Sequence, residues 1–407
     1  MTQSETPIPA NPTEQGGGAS ETSAAPSRGP VHVRVFARTD VGQVREHNED
    51  NFLVADLTRR TRGLLEANRS CDVGMHGSLF AVCDGMGGAA AGEIASQLAV
   101  DIIYEKMLEG LVAEQPVERD ELARRLVRAV EAAGLRIFQE AKVDRTRRGM
   151  GTTVTAAALV DDHMFLAQVG DSRGYILRGD QLIQVTRDQS LVNQLIEAGQ
   201  LTEEEAETFE HNNIILQALG TADSVQVDLT YVELHRGDML LLCSDGLSGM
   251  IRFEEIREVL RTCSEPIDAC KALTERANQA GGHDNITVII VQFDGEGLQP
   301  SSAEGETLRY RKYPVPEDPN DATTAIARRS TDPGRDPSLP PPDGVLSVPP
   351  PPNEKIAVWQ EHGPHAQAEN GEERIEIPGT HIPTWLVVTL IVGVIAMLSG
   401  AAIIFLR

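Results

Sequence analysis

Apolar and polar positions alternate over residues 31–36, where Val31, Val33 and Val35 are interrupted by His32 and Arg34. That period of two predicts a strand with one buried face. Further apolar or β-branched runs predict strands near 51–55, 78–83, 153–160, 163–169, 173–178, 226–233, 238–243 and 285–293. Helical spacing is clearest at 91–112, 119–143, 253–261 and 266–279. In the second of these, Leu122, Leu126, Ala129, Val130, Ala133 and Ile137 fall on one stripe, as in a helix laid on a core. Many strands in hairpin-like succession, with a few long amphipathic helices, predict an α+β sandwich rather than a repeating βαβ fold.

This pattern is confined to residues 31–294. Residues 1–30 are polar and rich in Gly, Ser, Thr and Pro, without the basic start and apolar core of a signal peptide. Residues 295–383 carry the proline runs Pro340 to Pro342 and Pro349 to Pro352 and too little apolar content for a core, so they read as a disordered, semi-rigid linker. The segment 384–406 is different again. From Trp385 to Leu406 it is apolar and uncharged, long enough for one transmembrane helix across a hydrocarbon layer of ~30 Å. The expected arrangement is a cytoplasmic globular domain held at a membrane by a C-terminal tail anchor.

Composition narrows the function. The net charge of -25, from 36 basic and 61 acidic residues, argues against nucleic acid, whose phosphates need a Lys/Arg surface. Five cysteines show no CxxC pair and no histidines at zinc spacing, which suits a reducing compartment. Cys263 and Cys270 are seven apart and read as one buried helix face.

The aspartates carry the chemistry. The run 79–83 leads straight into Asp84-Gly85, 239–244 into Asp245-Gly246, and 166–170 into Asp171; Asp284-Asn285 and Asp50 each open a strand. A carboxylate at the end of an apolar strand is expensive to desolvate unless a cation or donor compensates it. Any one Asp-Gly reads as a hairpin turn. The set together reads as a common edge where hard divalent cations, Mg²⁺, Mn²⁺ or Ca²⁺, bridge oxygens.

With those positions the sequence resembles the PPM family, the type-2C metal-dependent protein serine/threonine phosphatases, in its bacterial form. The matching stretches are Thr39-Asp40-Val41-Gly42-Gln43-Val44-Arg45-Glu46-His47-Asn48-Glu49-Asp50-Asn51, Asp84-Gly85-Met86-Gly87-Gly88, Met150-Gly151-Thr152-Thr153, Val169-Gly170-Asp171-Ser172-Arg173, Ser244-Asp245-Gly246-Leu247 and Gly282-His283-Asp284-Asn285-Ile286-Thr287-Val288. The resemblance implies a four-layer α-β-β-α sandwich of two antiparallel sheets with two, or three, Mn²⁺ or Mg²⁺ ions at one edge. Asp84 would bridge two ions, the Gly85 carbonyl would bind the first, and Asp245 and Asp284 would complete the second. Asp50 and Glu49 would hold the metal edge, Asn285 would support it, Asp171 would serve a third ion, and Arg45 would take the phosphate. It further implies substrates that are phosphoserine or phosphothreonine proteins, serine/threonine kinases among them, and a monomeric catalytic domain.

Two cations close together activate water and neutralise phosphate, and a planar guanidinium can meet two phosphate oxygens. Taken alone, Arg45 reads better as a surface salt bridge; the neighbouring Asn48-Glu49-Asp50 shifts the reading to phosphate. Met86 stands where animal members have a candidate acid histidine. Residues 186–220 match the family's flap in outline, with Gln189 and Asn212-Asn213 where His and a basic residue are common. The basic loop 57–77 carries no assigned role. Other classes weighed are a catalytically silent phosphoprotein-binding scaffold and a tethered adaptor that recruits through its prolines.

Overall fold

The computed structural model describes residues 29–63, 70–88, 91–206, 209, 213–300 and 308–314. The chain separates into two compact units, Met1–Asp332 and Pro333–Arg407, and every described residue belongs to the first. Most of the N-terminal tail, the linker beyond 314 and the apolar segment 384–406 lie outside the described residues. Among the described residues no helix is long and apolar enough to cross a membrane.

Two sheets form the centre. One runs in the order β11 (Gln181–Gln184), β10 (Arg173–Arg178), β14 (Met239–Cys243), β15 (Ile286–Asp294), β1 (His32–Asp40), β4 (Ser70–Asp72). The other runs β17 (Arg311–Lys312), β12 (Asp228–Glu233), β9 (His163–Val169), β8 (Val154–Val160), β5 (Ser78–Cys83), β2 (Asn51–Asp56), β3 (Thr61–Arg62). All their pairings are antiparallel. Two short ribbons join β6 (Gly85–Met86) to β7 (Gly151–Thr152) and β13 (His235–Arg236) to β16 (Gln299–Pro300).

The side-chain period of two explains the layering. In β5, Phe80 and Val82 face the other sheet while Leu79, Ala81 and Cys83 face helices. In β14, Leu240 and Leu242 point between the sheets, and Met239, Leu241 and Cys243 point outward. Both faces of these strands are covered, so they read as unbroken apolar runs. Outside the seven-stranded sheet lie α1 (Ala91–Leu108) and α2 (Arg119–Val143). The predicted stripe of α2, Leu122 through Ile137, is the face it buries. Outside the six-stranded sheet lie α5 (Asp245–Ser248), α6 (Phe253–Thr262) and α7 (Pro266–Gln279). Between β11 and β12 come the short α3 (Leu191–Glu197) and α4 (Glu203–Ala206). The predicted α-β-β-α sandwich is present.

Two expectations are corrected. Cys263 and Cys270 do not share a helix: Cys263 caps the end of α6, and Pro266, which lacks an N–H, opens α7. Only Cys270 is buried. Nor does ordered structure stop at 294. Leu308 is buried, β17 adds a strand to the edge at β12, and Tyr313 stacks edge-on against Phe165 and Tyr231.

Candidate metal centre

Antiparallel register decides where the aspartates go. Asn51 pairs with Cys83, so Asp50 and Asp84 leave the same end of the seven-stranded sheet. Arg173 and Val288 both pair with Cys243, which brings Asp171, Asp245 and Asp284 to the same end of the other sheet. A layer of hydroxyls then joins the two ends. Ser244 Oγ donates to Asp50 Oδ2 at 2.7 Å and accepts from Thr287 N at 3.0 Å. Thr153 Oγ1 and Ser172 Oγ are 2.7 Å apart, and the Asp84 backbone is bonded to Thr152 and Thr153.

The sequence-derived residues take different places around this edge. Asp84 and Asp245 lie side by side, close enough for each carboxyl to perturb the other. Asp50, Asp171 and Asp284 lie close enough for their charges to act on this pair. Glu49 and Asn285 serve the loop above: Asn285 Oδ1 accepts from Glu49 N at 2.8 Å, while its amide donates to Val41 O and His47 O. Arg45, about half exposed, donates to Asp284 Oδ2 at 2.7 Å. Its salt-bridge reading is therefore realised, but with one of the acidic set.

Gly85 is required by close approach. A Cβ there would lie 2.3 Å from the Gly92 carbonyl oxygen and 2.4 Å from that of Glu49. Ser96 on α1 reinforces this contact by donating to Glu49 O at 2.5 Å. Small side chains on α1 let the helix sit against the metal-edge loop.

Crowding perturbs the acids. Burial lifts Asp50 to about 7, against donors from Thr287 and Ser244 and with the fields of Asp245 and Asp284. Burial and then Asp245 and Asp188 lift Asp171 to about 7. Asp84 is pushed well above the usual carboxylate range by burial and by Asp50 and Asp245, and Asp245 is raised by burial. One oxygen each of Asp171 and Asp245 is buried without a protein partner. Buried carboxylates that repel one another and lack donors are what a divalent cation compensates, and an all-oxygen set suits Mn²⁺ or Mg²⁺. With Asp284 facing Arg45 and Asp50 facing Ser244, no three acidic, His or Cys side chains among the described residues stand in coordinating positions around one point. The donor chemistry and the orphaned oxygens fit the ions all the same.

A family model described as Protein phosphatase 2C matches residues 69–289. The chain belongs to the protein phosphatase 2C family. It is 36% identical over 258 residues to the serine/threonine phosphatase stp of Listeria innocua, covering 63% of this chain and 94% of that protein. To the protein phosphatase PhpP of Streptococcus pneumoniae it is 38% identical over 267 residues, 66% of this chain and all of that one. A crystal structure of the catalytic domain of the serine/threonine protein phosphatase PstP with two manganese ions superposes with TM-score 0.54 at 34% identity, covering 65% of this chain and 99% of that one. This chain is thus a protein serine/threonine phosphatase that depends on Mn²⁺ or Mg²⁺.

Sequence reasoning missed the hydroxyl layer of this phosphatase, Ser244, Thr153, Ser172, Thr287 and Ser96. For the first four the signal was present as short polar residues at the ends of apolar strands, whereas Ser96 lies within α1. It marked Gln189 as a departure from the family's flap without finding its contacts, and it missed Gln217; the partners of both lie elsewhere in the chain.

Proposed function

We propose that this phosphatase hydrolyses phosphoserine and phosphothreonine esters in proteins by one in-line displacement by water, opposing serine/threonine kinases at the cytoplasmic face of a membrane. When bound, a pair of divalent cations lowers the pKa of water and offsets charge on the phosphate. Asp84, Asp245, Asp284 and the Gly85 carbonyl would hold the pair, with Asp50 and Glu49 at its edge and Asp171 serving a third ion. Arg45 keeps donors beyond the one given to Asp284, on a half-exposed side chain suited to phosphate oxygens. Direct attack by water is supported by the thiols. Burial pushes Cys83 and Cys270 up and Cys243 to about 12, so none is poised as a nucleophile.

The observation that carries this reading is the meeting of Asp84 with Asp245 beside buried, unpartnered carboxylate oxygens. The test is hydrolysis of p-nitrophenyl phosphate and of a phosphothreonine peptide with and without Mn²⁺, for wild type and Asp245→Ala. Loss of activity in the variant and on chelation is expected; turnover that survives both rejects the mechanism. The membrane address rests on the sequence of 384–406. Fractionation of the tagged full chain tests it, with release into the soluble fraction in the absence of detergent as the contrary result. A phosphoproteome of a deletion strain, with kinase activation segments gaining phosphate, tests the partners. Gel filtration of the catalytic domain tests the monomer.

A further inference from the structure

The 186–220 segment returns to the core at one side chain. Gln189 is half buried and joins three stretches that are remote in sequence. Its Oε1 accepts from Gly170 N at 3.0 Å, while its own N–H donates to Gly170 O at 2.8 Å. Gly170, immediately before Asp171, is therefore held at both its N–H and its carbonyl. Its Nε2 donates to Asp228 Oδ2 at 3.1 Å and to Gln226 O at 3.3 Å, at the start of β12. Its carbonyl accepts from Leu216 N at 2.8 Å, and its Oε1 also accepts from Gln217 Nε2 at 3.0 Å. Gln217 in turn bonds to Gln226 in both directions, N→Oε1 at 2.7 Å and Nε2→O at 2.8 Å.

An amide is suited to this junction because it offers an acceptor and donors without a charge to desolvate. The junction also presents apolar surface. Ile214 and Leu216 are 41% and 50% exposed, although their backbones are pinned to Leu191 and Gln189. Exposed aliphatic side chains on a pinned backbone suit the flanks of a phosphorylated polypeptide, whereas a small phosphate ester needs only the phosphate site.

We propose that Gln189 is a positioning residue for polypeptide substrates: it holds the 214–217 segment in register with the Asp171 loop and β12, and so sets KM for phosphopeptides rather than the attack on phosphate. This rests on the phosphatase reading above. Gln189→Ala is expected to raise KM for a phosphothreonine peptide about tenfold, with kcat/KM for p-nitrophenyl phosphate within about twofold of wild type. Gln189→Glu loses the donor and faces Asp228 with a second carboxylate, so it should behave like the alanine variant. Gln189→Glu with Asp228→Asn reverses donor and acceptor and should bring the peptide KM back to within about threefold. Should the alanine variant fold poorly, the single and double glutamate variants carry the same comparison.

Hydrogen exchange of the metal-free protein separates this inference from the phosphatase reading, since it needs no activity. The N–H groups of Gly170, Leu216 and Gln226 should exchange faster together in Gln189→Ala. Unchanged exchange at Leu216 and Gln226, an unchanged peptide KM, or equal losses on both substrates that track a fall in Tm would each overturn the proposal.

Discussion

At the scale of single residues, Ser244 shows how the metal edge is held. One hydroxyl donates to Asp50 from the opposite sheet while accepting from the Thr287 N–H near the start of β15. Groups that orient ligands typically change metal affinity by about 10- to 100-fold. Ser244→Ala should weaken the apparent Mn²⁺ affinity about tenfold, read from the Mn²⁺ dependence of p-nitrophenyl phosphate hydrolysis, with a smaller change in kcat at saturating metal. The acids also set a pH dependence. Asp50 and Asp171 stand at about 7 against an ordinary 3.8, so the unfolded chain releases these protons first. The stability they lend the chelated protein is full below pH ~4 and is lost as pH rises to about 7. Thermal melts in EDTA should show Tm falling across that window, and Asp171→Asn should flatten the fall. Because cations compete with these protons, the rise in Tm on adding Mn²⁺ should grow over the same range.

At the scale of elements, β5 and β14 are buried on both faces, which is why the run 79–83 was legible as a strand and why it tolerates little change. Phe80 is 1% exposed and points between the sheets. Phe80→Ala should lower stability by about 3–5 kcal/mol, measured by urea unfolding with the metal chelated. Every long strand and helix was visible in the sequence because its apolar period ran for at least five residues. The short elements were not. The α3 and α4 helices lack a buried stripe, and β6, β7, β16 and β17 are two residues each, paired with partners that no local pattern specifies.

At the scale of the whole molecule, the phosphatase unit extends past its last long strand. Leu308 is buried in the core between the sheets, Tyr313 packs at the β12 edge of the seven-stranded sheet, and the Tyr313 hydroxyl donates to Asp120 at the start of α2. Truncation after Asp294 should therefore lower Tm by about 5 °C or more relative to truncation after Pro314, given the apolar area uncovered. Equal melting temperatures would show that this extension adds nothing to the fold. Lys312 lies 3.6 Å from Asp228, which also receives Gln189, so the same extension borders the junction that positions 214–217.

The sequence by itself determined the layers, the helix faces and the set of aspartates at strand ends, because side-chain period and local composition are written into consecutive residues. It also carried the family motifs. Only the tertiary structure decided which strand ends meet. Register and sheet order put Asp84 beside Asp245, Ser244 beneath Asp50 and Arg45 against Asp284, each over a separation of more than a hundred residues. Likewise the amide at Gln189, the hydroxyls under the carboxylates and the strand at 311–312 acquire a role only through partners distant in the chain. A hydrogen bond depends on two groups at once, and one position in a sequence names only the first.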